Sequence, residues 1–266
     1  MTELKLKVLD KNQSTKVSGD TGVELAVLAH TAVYEEGDMI CLEVDKPGCL
    51  VEVQLDDAMR PAVLFLQHNV LYYKVPFGEL RTAISPKAFS GNSHVLTARV
   101  LDDAEAGVRR NLALNPYDGF AAPAVFPHAD ANVETRDEAV FAARNAIDGI
   151  YANNSHGMFP YGSWGINKRD DAEWKLDFGR EVAVDEIRIT LRADFPHDNY
   201  WSTCTVQFSD GSRESLELAK TASPQCFSIQ SRKITELTLK DLIKGNGNSP
   251  FPALTQFEAW GTWSVG

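Results

Sequence analysis

Long apolar runs are missing from this sequence. No stretch approaches the roughly 20 apolar residues that span a bilayer, and the opening Met1-Thr2-Glu3-Leu4-Lys5-Leu6-Lys7 holds no apolar core of a signal peptide. A cytoplasmic home is the expectation, with a secreted one if an export signal precedes this sequence. Cysteine is scarce: Cys41, Cys49, Cys204 and Cys226 show no CxxC spacing. The two pairs could each bridge neighbouring strands, but without an export signal the expectation is four reduced, mostly buried thiols. Positive charge is in deficit as well. A net charge of −11, spread over both halves, argues against nucleic acid or an anionic membrane as the partner. Catalytic signatures are thin, with no GxSxG elbow, P-loop, HExxH or helix-opening GxGxxG. The six histidines are scattered, and neither His156 nor His197 stands at metal-ligand spacing from a cysteine.

What is present is strand signal. The 266 residues, 44% apolar and 24% charged, suffice for two domains that each bury a core. Period-two alternation bounded by turn residues recurs at 24–30, 39–45, 49–55, 62–67, 71–76, 94–101 and 109–114, which suggests a β-sandwich or jelly roll over residues 1–116. Pro116, Pro123 and Pro127 mark residues 117–130 as a linker. An Ala-rich stretch at 137–145 suggests a short helix. Strands then resume at 173–178, 185–191, 203–208, 214–218, 236–239 and 255–260, with Ser209-Asp210-Gly211-Ser212 as a hairpin turn. The fold class expected is all-β, two sandwiches, the second over residues 131–266.

From about residue 131 to 261 the motifs fall in a familiar order. Asn145-Ala146-Ile147-Asp148-Gly149 is followed by Ser163-Trp164 and by Leu176-Asp177-Phe178-Gly179. Then come the strand ending at Arg192, Phe208-Ser209-Asp210-Gly211, and Gln256-Phe257-Glu258-Ala259-Trp260-Gly261. This half resembles the discoidin family, also known as coagulation-factor C-type domains and as carbohydrate-binding module family 32. The resemblance implies a galactose-binding-like jelly roll that takes its ligand at the loops of one rim. The first half resembles no family that its residues identify.

Three loops match the rim positions: 153–164, 192–201 and 245–252. A pyranose offers hydroxyls that donate and accept and an apolar C–H face. Arg192, Asp194, His197 and Asn199 are the residue types that read hydroxyls. Phe251 or Trp201 would supply a stacking ring, and His156 and Tyr161 add polar and aromatic contacts from the first loop. The plain alternatives stay open: Asp194 closes a turn, His197 satisfies a carbonyl, and Trp201 belongs to the core. The resemblance also implies a structural calcium ion, held by Asp148, by loop carbonyls as far as Ser163, and by Glu258. Ile150 stands where the usual motif has a second acid, and Asp148 could instead bond its own turn.

The function expected is non-catalytic carbohydrate binding. The alternatives are a cytoplasmic hydrolase on a related sandwich, as in allantoicase, or a protein-interaction module whose N-terminal sandwich docks a partner or a second copy. Paired carboxylates for glycoside hydrolysis could be drawn from Asp170, Asp194 and Asp198, which an acidic surface supplies in any case.

Overall fold

A computed structural model describes residues 1–119 and 125–263. The first half comprises β1 (Glu3–Leu9), β2 (Thr15–Ser18), β3 (Gly22–Val23), β4 (Leu25–His30), β5 (Met39–Val44), β6 (Cys49–Gln54), β7 (Ala62–Leu66), β8 (Val70–Lys74) and β9 (His94–Val100). These form two antiparallel sheets, β2-β1-β5-β8 with β3 beside β1, and β4-β9-β6-β7. Alternation explains their faces: Leu4, Leu6 and Val8 of β1 are fully buried while the lysines between them are not. They meet Ile40, Leu42, Val51, Val53, Leu64 and Leu96 in one core between the sheets. The sequence reading missed β1, whose Lys5 and Lys7 alternate with its core residues.

The second half is one antiparallel sheet folded over its own core. It contains β10 (Arg110–Asn111), β11 (His128–Ala131), β12 (Trp164–Gly165), β13 (Trp174–Leu191), β14 (Trp201–Phe208), β15 (Arg213–Glu217), β16 (Gln225–Lys244) and β17 (Ala253–Thr262). The main path runs β10-β17-β13-β16-β14-β15. The two long strands, β13 and β16, pair over both of their halves with register shifts between. Such shifts bend a strand and raise its twist, so one pair of strands serves both layers. Gly179 stands at the first shift with φ +68, and a Cβ there would sit 2.4 Å from the Phe126 ring. Only glycine allows that approach. The Ser209–Ser212 hairpin is present, closed by Phe208 N–H donating to the Ser212 carbonyl at 3.0 Å. The expected helix at 137–145 consists of two short 3-10 turns, Ala139–Phe141 and Ala143–Ile147. All four cysteines are free thiols, and Cys226 is exposed.

The junction differs from the expected linker. The chain enters the second sheet at β10, which pairs with β17, ahead of residue 117. Asn115, Tyr117 and Asp118 are buried, and β11 pairs with β13. Residues 120–124 of the expected linker, Pro123 among them, lie outside the described residues. Leu50 and Phe65 of the first sandwich belong to the core of the second, and Phe65 and Phe126 exchange backbone hydrogen bonds at 2.8 and 3.2 Å. Arg60 Nη1 donates to the Gly149 carbonyl at 2.9 Å, and Phe159 N–H donates to the Thr82 carbonyl at 2.7 Å. The halves thus share apolar packing and polar contacts instead of hanging on a tether. Gly149, the last residue of the Asn-Ala-x-Asp-Gly run, sits in this seam at φ +78, where a Cβ would meet Leu114 at 2.7 Å.

Candidate functional site

The rim loops converge on Arg192. This residue leaves the end of β13 and is buried, its guanidinium Nε hydrogen-bonded to Asp198 and 3.3 Å from Asp194 Oδ1. Its Nη2 donates to the carbonyl of Phe251 at 3.0 Å. Asp194 in turn accepts from His156 Nδ1 at 2.5 Å through its other oxygen. One guanidinium therefore ties the first, second and third rim loops together.

The electrostatics follow from that packing. Burial alone would raise the pKa of Asp194, but the His156 hydrogen bond and the Arg192 charge outweigh it and hold the carboxyl below its usual range. Asp198, wholly buried, goes the other way: burial dominates, and the adjacent Asp194 opposes a second negative charge despite Arg192. The Oδ1 atoms of Asp194 and Asp198 are both buried without a hydrogen-bond acceptor–donor match in the protein.

Several expected ligand residues prove structural. Arg192 is an internal clamp, because its Nε and Nη2 bond within the protein. Asn199 is buried and donates its side-chain amide to the carbonyls of Gly247 and Ser249 at 3.0 and 3.1 Å. It shapes the third loop from within. Trp201 is fully buried with its ring 6.1 Å from that of Trp164, so it is core and no platform. The residues left at the surface are His156 and His197, both exposed, Tyr161, half-buried, and Phe251, 38% exposed. The Lys168 ammonium lies 5.0 Å from the centroid of the Phe251 ring.

The expected calcium ligands do not fit a cation. Asp148 Oδ1 accepts from Ile150 N–H at 2.8 Å and from Gln256 Nε2 at 2.7 Å. Burial pushes its pKa up to about 7. Glu258 accepts from Trp260 Nε1 at 2.8 Å and lines a different cavity from Asp148. Ser163 Oγ is buried without a partner. The residue of β17 that reaches Asp148 is Gln256, two positions before Glu258, and it brings an N–H donor where a cation needs an oxygen. Among the described residues one other acid–imidazole group is compact, Asp56, Asp57 and His94. Asp56 already accepts from the N–H groups of Ala58 and Phe89, and His94 bonds Asp56 and the Gly91 carbonyl. It is a closed turn and not an open site.

Sequence reasoning overlooked the seam. Two cavities flank Arg60 there. The smaller, about 210 Å³, is lined by Met59, Ile84 and Phe159 with Arg144 and Asp148. The larger, about 310 Å³, is lined by Glu52, Arg60, Asn111, Tyr151, Glu258 and Trp260. The signal available in the sequence was the period-two row Gln256, Glu258, Trp260, whose polar side chains alternate with the core residues Phe257 and Ala259.

No family model matches the chain, and no curated protein does. Solved structures do. One is chitosan-binding module 1 from a chitosanase/glucanase of Paenibacillus sp. IK-5, at 20% identity and TM-score 0.40, covering 57% of this chain and 99% of that one. A second is the lectin domain of lectinolysin complexed with Lewis B antigen, at 16% identity and TM-score 0.44, covering 57% and 97%. A third is the family 32 CBM from C. perfringens NanJ in complex with galactose, at 16% identity and TM-score 0.38, covering 50% and 91%. These likenesses extend over 50–57% of this chain.

Proposed function

We propose that this protein is a non-catalytic carbohydrate-binding protein that takes a sugar at the rim loops of its C-terminal sandwich. One observation carries the reading: an exposed aromatic ring, Phe251, and an imidazole–carboxylate pair, His156–Asp194, are anchored on the same buried guanidinium. Phe251 offers an apolar face for sugar C–H groups. His156 and His197 offer nitrogens for hydroxyls, and Asp194 an ionised acceptor at their base. Arg192 acts through these groups by holding their spacing. Preorganisation of this kind lowers the ordering cost of binding. The solved modules of similar fold include ones whose names record chitosan, Lewis B antigen and galactose, which suits the same ligand class. A glycan array followed by calorimetric titration of the best ligand tests the reading. Loss of affinity in His156→Ala and in Phe251→Ala, each with unchanged melting temperature, is the expected result. An array without a single reproducible ligand would refute it.

A further inference from the structure

The groove at the seam has the makings of a ligand site of its own. It lies between the β6–β7 hairpin of the first sandwich and β10 and β17 of the second, so neither half forms it alone. Its volume of about 310 Å³ stands at the lower end of the roughly 300–1,000 Å³ that small-molecule sites occupy, and domain junctions are favoured places for them.

Its side chains are a matched set. Glu258 is 4% exposed and is fixed by the Trp260 indole N–H at 2.8 Å. The indole is itself held by the Arg188 guanidinium, 4.3 Å from the ring centroid. Tyr151 also lines the groove, 39% exposed; burial of its phenol, then the charge of Glu258 and a hydrogen bond to it, raise its pKa and keep the O–H a donor. Asn111 accepts from the N–H groups of Ala113 and Ala259 through Oδ1, at 3.0 and 3.2 Å, which turns its NH₂ the other way. Two carboxylates, Glu52 and Glu258, and two guanidiniums, Arg60 and Arg110, line the groove together.

That composition selects a ligand class. An anion would meet two carboxylates, and a cation would meet two guanidiniums. Adjacent hydroxyls that donate to a carboxylate and accept from a guanidinium or amide suit it, with the Tyr151 ring against a C–H face. We infer that the seam groove is a second ligand site, specific for a neutral pyranose unit and assembled only when the two sandwiches are joined. The site shares its ligand class with the rim reading but none of its residues, so the test must separate the two.

Trp260 provides the probe. It is half-buried and lines the groove, whereas Trp164, Trp174, Trp201 and Trp263 are at most 1% exposed. The full chain, labelled with ¹⁵N, is titrated with galactose, N-acetylglucosamine and glucose, and with glucuronate as the charged control, while the indole N–H signals are followed. The Trp260 signal is expected to shift with at least one neutral sugar, in the wild type and equally in Phe251→Ala. Tyr151→Ala should weaken that response roughly three- to tenfold, and its four other indole signals report that the variant is folded. A silent Trp260 in a protein whose rim still binds sugar, as judged by heat lost in Phe251→Ala, would overturn the seam site and leave the rim reading standing. A response to glucuronate alone would overturn the ligand class.

Discussion

Gln256 Nε2 donates to Asp148 Oδ1 at 2.7 Å, and the same nitrogen donates to the carbonyl of Asn145, also at 2.7 Å. With the Thr255 carbonyl at 2.6 Å, the amide gathers three oxygens, a neutral substitute for the cation that the motif resemblance implied. Calcium at millimolar concentration should therefore leave the melting temperature of the wild type unchanged. Gln256→Glu faces Asp148 with a second carboxylate and should gain a calcium-dependent rise, because an ion that binds only the native state stabilises it. A rise in the wild type, abolished in Glu258→Gln, would restore the sequence expectation.

Arg192 should behave as a structural residue. Arg192→Ala leaves the wholly buried Asp198 without its partner, and removing one member of a buried ion pair costs about 3–5 kcal/mol. Chemical unfolding should show that loss. Lost sugar affinity with stability intact would instead make Arg192 a direct reader of hydroxyls.

His128 and Asp148 give the protein a dependence on pH. Burial alone would lower the pKa of His128, but its 2.7 Å bond to Asp118 and the nearby carboxylates leave it raised. A raised histidine contributes stability that is full below its unfolded value, about 6.5, and is lost as pH rises through the folded value. Asp148, raised to about 7 by burial, has the same sign: its contribution is full below about 3.9 and is lost as pH rises toward 7. Relative to the wild type, His128→Gln should flatten the fall in melting temperature above pH 6.5. Asp148→Asn should flatten it between about pH 4 and 7. Parallel profiles for variant and wild type would refute either assignment.

The shared core predicts that the halves unfold together. Calorimetry should give one transition, and Phe65→Ala should lower it as a whole by about 3–5 kcal/mol, since Phe65 packs into the second core from the first sandwich. Two resolved transitions, with only the first moved by Phe65→Ala, would mean independent domains.

The strand pattern and the order of motifs were legible in the sequence because period-two burial is local. The Gln225–Ile234 part of β16 was not, since only Ile234 there is buried and the rest alternates between exposed and half-buried side chains. The roles of Arg192 and Asn199 were illegible for a different reason. Their partners at Phe251 and at Gly247 and Ser249 lie 48–59 residues along the chain, so a polar residue in a polar loop gave no sign that it turns inward. Phe251 and His156 are exposed on the loops 245–252 and 153–164, and the strand signal at 109–114 includes β10, which pairs with β17 of the second sheet, because periodicity marks a strand but not the sheet it joins. The seam joins positions such as Arg60 and Gly149, 89 residues apart, and only the assembled fold brings them together.

The most direct test of carbohydrate binding at the rim is calorimetric titration of wild type and Phe251→Ala with the strongest ligand from a glycan array. Phe251 is exposed, so the variant should keep its melting temperature while its affinity falls about tenfold, a change of ~1.4 kcal/mol. Equal affinity in the two proteins, or no heat with any glycan, would contradict the rim assignment.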